Sequence, residues 1–470
     1  MTAARPSRRA VLLGSSVALL VGCTSDSEPP PPDPRRTKEA TIFDLSLQEQ
    51  HRYRPFELVA AGFEAGAGES PAAPFAAVEL RLGPDTAQAS AGLVSDDGDH
   101  VLVRWSARSS QVRLSVRRDG RTHVLRRRAV PSDGVVAIAF ALCENQVTAL
   151  VDTGEGWQPV LTERTKVAAL VDLRRPEELG RLGYAWDGDG AEGRAGVFGM
   201  TGLRDPHLVQ HADGTPYERD GRVYLTWTCA GLGFFQQAHW TVWSMDPAAP
   251  EEMRLEAQLF SRRDGLVLGD HAGQVVRDGD RWWVATSSWG DFTPGSIHVR
   301  HTVTTDDVLS GVHVLDTEPT SLPTEHGSWD PAYTRVDGTW HVGFVESPSQ
   351  DPFDFHPALA STTADSWTDD LSRTAAADTL HQCEGPIIAT VGASTWLLAS
   401  DGDAHNYPVF NLEGRRVGRL DAPYPTNIPH PQLLEDPAGG WWMVTFDGTQ
   451  YAEDVMGYGG HGEVVLLHST

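Results

Sequence analysis

The chain has 470 residues, enough for two or three domains. Lys38 and Lys166 are its only lysines, and the formal net charge is −26, which argues against a nucleic-acid partner. The plainer use of that acidity, keeping the protein soluble, stands beside an acidic binding surface. The 15 tryptophans and 46 glycines suit β architecture and carbohydrate contact better than helical packing.

The first 22 residues read as an export signal. Arg8-Arg9 resembles a twin-arginine signal, and the apolar core 12–21 is too short for a permanent span. Leu20-Val21-Gly22-Cys23 resembles a bacterial lipobox, with Cys23 as the lipidated first residue of the mature protein. A merely buried or unpaired cysteine is the alternative. Residues 23–39, with Pro29 to Pro32 in a row, read as an extended tether. The expected location is therefore the outer face of a bacterial cell membrane, with Cys23 the only membrane contact. The other cysteines are Cys143, Cys229 and Cys383. Cys229 and Cys383 could pair in an exported protein, or all three are small buried hydrophobes. No Cys/His spacing reads as a zinc site.

Residues 40–200 alternate apolar and polar with period two. Examples are Ala77-Val78-Glu79-Leu80 and His100-Val101-Leu102-Val103-Arg104-Trp105. Asp97-Gly98, Asp119-Gly120 and Asp133-Gly134 supply tight turns. The expectation is an antiparallel β-sandwich, jelly-roll-like, in an accessory or structural role. Trp105 and Trp157 are either sugar platforms or core.

Residues 201–470 carry a phrase repeated five times at intervals of roughly 50 residues, the signature of a β-propeller. Its copies centre on Asp205-Pro206, His271-Ala272, Asp330-Pro331, Glu384-Gly385-Pro386 and His430-Pro431, each followed by a Trp- or Tyr-rich strand. The fold class is thus all-β, a sandwich followed by a five-bladed propeller. The apolar segment 462–468 is expected to pair into the ring, removing an exposed edge. Aligned on these copies, Asp205, His271, Asp330, Glu384 and His430 fall at one position per blade and converge on the channel. Three carboxylates and two histidines are unfavourable to gather without a function.

These motifs resemble glycoside hydrolase family 43 and its five-bladed relatives over about residues 203–470. Arg204-Asp205-Pro206 stands where that family has its catalytic base. Ser328-Trp329-Asp330-Pro331 matches the Asp that tunes and holds the acid, and Glu384-Gly385-Pro386 matches the general acid. His430-Pro431 matches a histidine beneath the sugar. The resemblance implies an arabinan-like, furanose- or pentose-rich substrate and an inverting mechanism. It does not cover the sandwich, gives His271 no counterpart, and lacks the Asn-Asp-Pro of fructan-cleaving propellers.

Glycosidic cleavage needs one protonated and one ionised carboxyl. The residues fit Glu384 as acid, raised by Asp330, and Asp205 as base beside Arg204. Substrate contacts are expected from Arg204, His271, His430, Phe234 with its neighbour Phe235, Trp289, Asp291 and His405. Asp403 and Asn406 are looser candidates; for all the loop residues a solvated loop is the plain alternative. No cofactor is required, although hard oxygen ligands near a His-held water would admit Ca2+ in the channel. The expected partner is a polysaccharide or oligosaccharide and the protein a monomer. Two other classes stay open: a non-catalytic carbohydrate-binding lipoprotein, which needs aromatic walls but no carboxylate trio, and a protein-interaction propeller with an apolar or flat top face.

Overall fold

Strands follow from the period-two pattern wherever it runs between turns. In His100–Ser106, Val101, Val103 and Trp105 point inward and Arg104 outward. The computed structural model describes residues 41–131, 134–449 and 462–469. The export segment 1–22, the tether 23–39, Cys23 and Asp133 lie outside the described residues.

The fold is all-β. A six-stranded sheet and a five-stranded sheet occupy much of 57–200. They share one apolar cluster, with Val78, Leu80, Ile138 and Phe140 from one sheet and Val103, Trp105 and Leu114 from the other. Trp105 belongs to this core. Trp157 packs in the cluster beneath the six-stranded sheet.

Five further sheets follow. Their inner strands are Leu203–Leu208, His271–Asp278, Gly327–Val336, Cys383–Val391 and Gln432–Glu435. Each inner strand contacts the next, and the last contacts the first, so they close a ring. An apolar layer fills each gap between neighbouring sheets. Val209, Trp240 and Val242 meet Val275 and Trp282; Leu203 and Leu208 meet Leu434 and Val444. The arrangement is consistent with a β-propeller.

The last sheet takes strands from both parts of the chain. Glu463–Ser469 pairs with Trp441–Asp447 on one side and with Gln48–Tyr53 on the other. Residues 48–53, grouped with the sandwich in the sequence, thus form the outer strand of the last sheet. Ile42, Leu45 and Leu47 bury themselves between the fourth and fifth sheets. The reason is physical: without that strand the terminal strand would present an unpaired edge.

Cys143, Cys229 and Cys383 are buried and unpaired. Cys229 lies against the hydroxyl of Thr241 at 3.2 Å.

Candidate active site

Four of the five inner strands carry the same irregularity near their starts. The register slips between Arg204 and His207, His271 and Gln274, Trp329 and Ala332, and Glu384 and Ile387. At each slip the second residue is left-handed: Asp205 (φ 53°), Ala272 (54°), Asp330 (50°) and Gly385 (64°). These are β-bulges, which bend a strand and re-aim its side chains. The third residue is Pro206, Gly273, Pro331 or Pro386; proline is tolerated at a bulge because its missing N–H leaves no ladder bond unmade.

The bulges explain how two consecutive residues of one strand face one cavity, which period-two alternation forbids. They also correct the alignment made from the sequence. Arg204, His271, Trp329 and Glu384 occupy the first bulge position. Asp205, Ala272, Asp330 and Gly385 occupy the second. Asp-Pro and Glu-Gly-Pro differ by one residue, so the Asp before Pro matches the Gly of the other motif. The side chains by which these strands line the cavity come from these two adjacent positions.

The cavity they line measures about 210 Å3. Of the residues expected from the sequence, Arg204, Asp205, His271, Trp289, Asp330, Glu384 and His430 line it. Phe234 does not; it is 43% exposed, and the next residue, Phe235, lines the cavity in its place, packed on Trp289 at 4.6 Å between ring centres. Asp291 is turned toward Arg263, which donates to it at 2.9 and 2.6 Å and also grips Asp270, the residue before His271. Asp291 therefore anchors the Trp289–Asp291 turn and lies outside the cavity lining. His405 is exposed and stacks on Tyr424 at 5.4 Å, also outside the lining. Asp403 and Asn406 do not line the cavity either.

Sequence reasoning missed Trp329, Phe353, Phe355, Gln382, Asn427 and Ile428 as lining groups. Trp329 was recoverable, because it stands one residue before Asp330 at the position Glu384 holds in its own motif. The two phenylalanines begin Phe353–Thr362, the third strand of the third sheet, and no local signal marks them. With Phe235, Trp289 and Trp329 they form an aromatic wall.

The three carboxyls sit in unlike surroundings. Glu384 accepts a hydrogen bond from Trp329 Nε1 at 2.9 Å. Burial raises its carboxyl; the Trp329 bond opposes this, and the Asp205 charge adds to it, leaving it near 7. Burial also pushes Asp205 up, but the fields of His430, Arg204 and His271, with a bond from Thr228, hold it below its ordinary value. Asp330 is raised well above the ordinary range by burial, then by the charges of Glu384 and Asp205. The charge that raises Glu384 therefore comes from Asp205, not from Asp330 as expected. Asp330 accepts from the Gly385 N–H at 3.3 Å, and its own N–H donates to Ser287 Oγ at 2.9 Å.

His430 Nε2 lies 3.7 Å from Asp205 and 3.6 Å from Asp330, bridging the two. Burial lowers its pKa, so the ring is neutral near pH 7. Burial, then the Arg204 charge, bring His271 to about 3, and its neutral ring donates Nε2–H to the Phe235 carbonyl at 3.2 Å. The glycine of Glu-Gly-Pro has two causes. Its φ is left-handed, and a Cβ there would stand 2.2 Å from the His430 ring.

The wall is braced from the six-stranded sheet and the segments that follow its strands. Glu144, fully buried after Ala137–Cys143, is held by Arg164 (2.7 Å) and Arg174 (3.3 Å) and accepts from Gln237 Nε2 at 3.3 Å. Gln237 in turn accepts from the Phe234 N–H at 2.7 Å, and Gln146 Nε2 donates to the Leu232 carbonyl. The loop that presents Phe235 is thus tied to the sandwich-like region.

Among the described residues no group of three or more His, Cys, Asp or Glu is arranged to hold a metal ion. No described helix is long and apolar enough to cross a membrane.

No protein-family model matches the chain, and no curated protein matches it. Among solved structures it is similar to a family 117 glycoside hydrolase, Zg3597, of Zobellia galactanivorans, at 9% identity and TM-score 0.40 over 57% of this chain and 84% of that one. It is similar to the Penicillium chrysogenum alpha-L-arabinanase at 10% identity and TM-score 0.37, over 87% and 98%. It is also similar to the GH43_1 enzyme of Xanthomonas citri, at 15% identity and TM-score 0.39 over 56% and 87%.

Proposed function

We propose that the chain is a glycoside hydrolase cleaving a furanose- or pentose-rich polysaccharide, arabinan-like, by inversion. The observation that carries this reading is one cavity holding Glu384, its pKa raised to about 7, beside Asp205, held ionised. In the proposed step Glu384 gives its proton to the leaving glycosidic oxygen as the bond to the anomeric carbon breaks. Asp205 takes a proton from a water that attacks the opposite face of that carbon. Asp330, neutral, holds the Gly385 backbone and fixes the bulge bearing Glu384. His430 lies between Asp205 and Asp330 and helps to hold Asp205 ionised. The aromatic wall supplies faces for sugar rings.

Under this reading the five sheets are five propeller blades and the six- and five-stranded sheets a sandwich that braces the pocket wall. Export and anchoring through Cys23 and a monomeric state belong to the same proposal. Sugar release from arabinan, lost in Glu384→Gln with binding retained, supports the hydrolase. Binding without turnover in the unaltered protein points instead to a non-catalytic carbohydrate-binding protein.

A further inference from the structure

The outer face of the five-stranded sheet carries a polar row across all five strands, charged on four of them. Asp187, Ser90, Arg104, Arg113 and Arg127 stand directly opposite one another in successive strand pairs. Their sequence neighbours Trp105, Val112 and Leu114 point the other way, into the core. Three arginines facing each other across antiparallel strands repel, and sheets normally avoid this. Arg104 is satisfied in part by Ser115 Oγ at 3.0 Å. Among the described residues, no carboxylate lies within ion-pair distance of Arg104, Arg113, Arg127 or, beside them, Arg108. Nearby Arg118, Arg126 and Arg181 all have acidic partners. In a chain with 64 acidic residues against 38 basic ones, an unpaired cationic row is unexpected.

A cavity of about 370 Å3 lies over this face. Arg104, Arg108 and Arg113 line it, with Ser106 and Gln111 between them and Asp187 at one end. We propose that this face binds a polysaccharide chain bearing carboxylate groups, a polyuronate. The guanidinium fork matches a carboxylate in two parallel hydrogen bonds. Arginines on neighbouring strands stand about 4.8 Å apart at their backbones, a ladder of positive charge for a chain carrying repeated negative groups. The serine and glutamine side chains offer partners for sugar hydroxyls. The surface is concave, which suits a chain better than a flat membrane. Its one tryptophan, Trp105, is 4% exposed, so no aromatic platform is open for stacking nucleic-acid bases. The site stands on different residues from the proposed catalytic pocket and does not depend on that reading.

The test is calorimetric titration of the full-length protein with oligogalacturonate. Three controls run beside it: the same oligomer with its carboxyls reduced to neutral alcohols, single-stranded DNA, and vesicles of phosphatidylglycerol. The expected result is binding of the oligouronate alone, weakening as salt rises, and reduced at least tenfold in Arg113→Ser/Arg127→Ser. Both side chains are exposed, so circular dichroism should be unchanged. If the double variant does not fold, Arg113→Gln alone is expected to weaken binding about threefold. Glu384→Gln is expected to bind as the unaltered protein does. The proposal is overturned by absence of oligouronate binding, by equal binding of the neutral oligomer, by affinity indifferent to the arginine variants, or by binding of DNA or vesicles alone.

Discussion

Glu384 illustrates how one side chain's surroundings set both its chemistry and its cost. Burial, reinforced by Asp205, keeps its proton on to about pH 7, so the alkaline fall in kcat/KM is expected there. The acid fall should lie below the ordinary carboxylate range, because Asp205 is held down. Trp329→Phe removes a hydrogen bond that favours the charged form, so it should move the alkaline limb to higher pH. A limb that stays put would remove Trp329 from this role. Stability follows the same titration. The folded carboxyl keeps a proton that the unfolded chain releases above its ordinary value of 4.5. Glu384 therefore makes the fold less stable as pH rises from about 4.5 toward 7. Melting curves of Glu384→Gln at pH 5 and pH 8 should show the variant relatively more stable at the higher pH. Gly385→Ala is expected to cost about 1–3 kcal/mol and to lose activity, since the methyl group meets the His430 ring. Chemical denaturation and turnover measure the two losses.

Bulges and loops decide which residues share the pocket, and here sequence and structure part in instructive ways. Asp205, Asp330 and Glu384 were legible because each sits in a short motif with proline at a fixed offset. Their register was not, because a bulge adds one residue that no hydrophobic period reveals. Arg204 and Asp205 both reach the cavity for that reason. Phe234 and Phe235 could not be told apart in the chain; at the 3-10 turn Phe235–Gln237 one ring lines the cavity and the other is partly exposed outside it. Asp291 looked like a sugar ligand because Arg263, 28 residues earlier, gives no local sign of claiming it. The brace on the Phe235 loop was equally hidden, since Glu144 and Gln237 are 93 positions apart. Glu144→Ala is expected to cost roughly 1–3 kcal/mol. If the brace shapes the wall, the variant raises KM with little change in kcat. An unchanged KM would make Glu144 a purely structural group.

The whole molecule is closed by its ends. Gln48–Tyr53 and Glu463–Ser469 are adjacent strands of one sheet although the rest of the chain lies between them. The sequence showed that the terminal strand wanted a partner. It did not show which, because strand pairing at such separation leaves no trace in local pattern. A chain starting at residue 201 should therefore expose the outer edge of the last sheet, lose the burial of Ile42, Leu45 and Leu47, and aggregate. Light scattering of that fragment beside the full chain checks this, and a monomeric, active fragment would contradict it. The same distant bracing makes the pocket a property of the entire molecule, and the proposed activity can be read directly. The decisive measurement is reducing-sugar release from a panel of arabinans, xylans and fructans, with Glu384→Gln alongside. Release from a pentose-rich polymer is expected, reduced about 10²–10⁴-fold in the variant while the polymer still binds. Equal release by both proteins, or none by the unaltered one, would contradict the proposed activity.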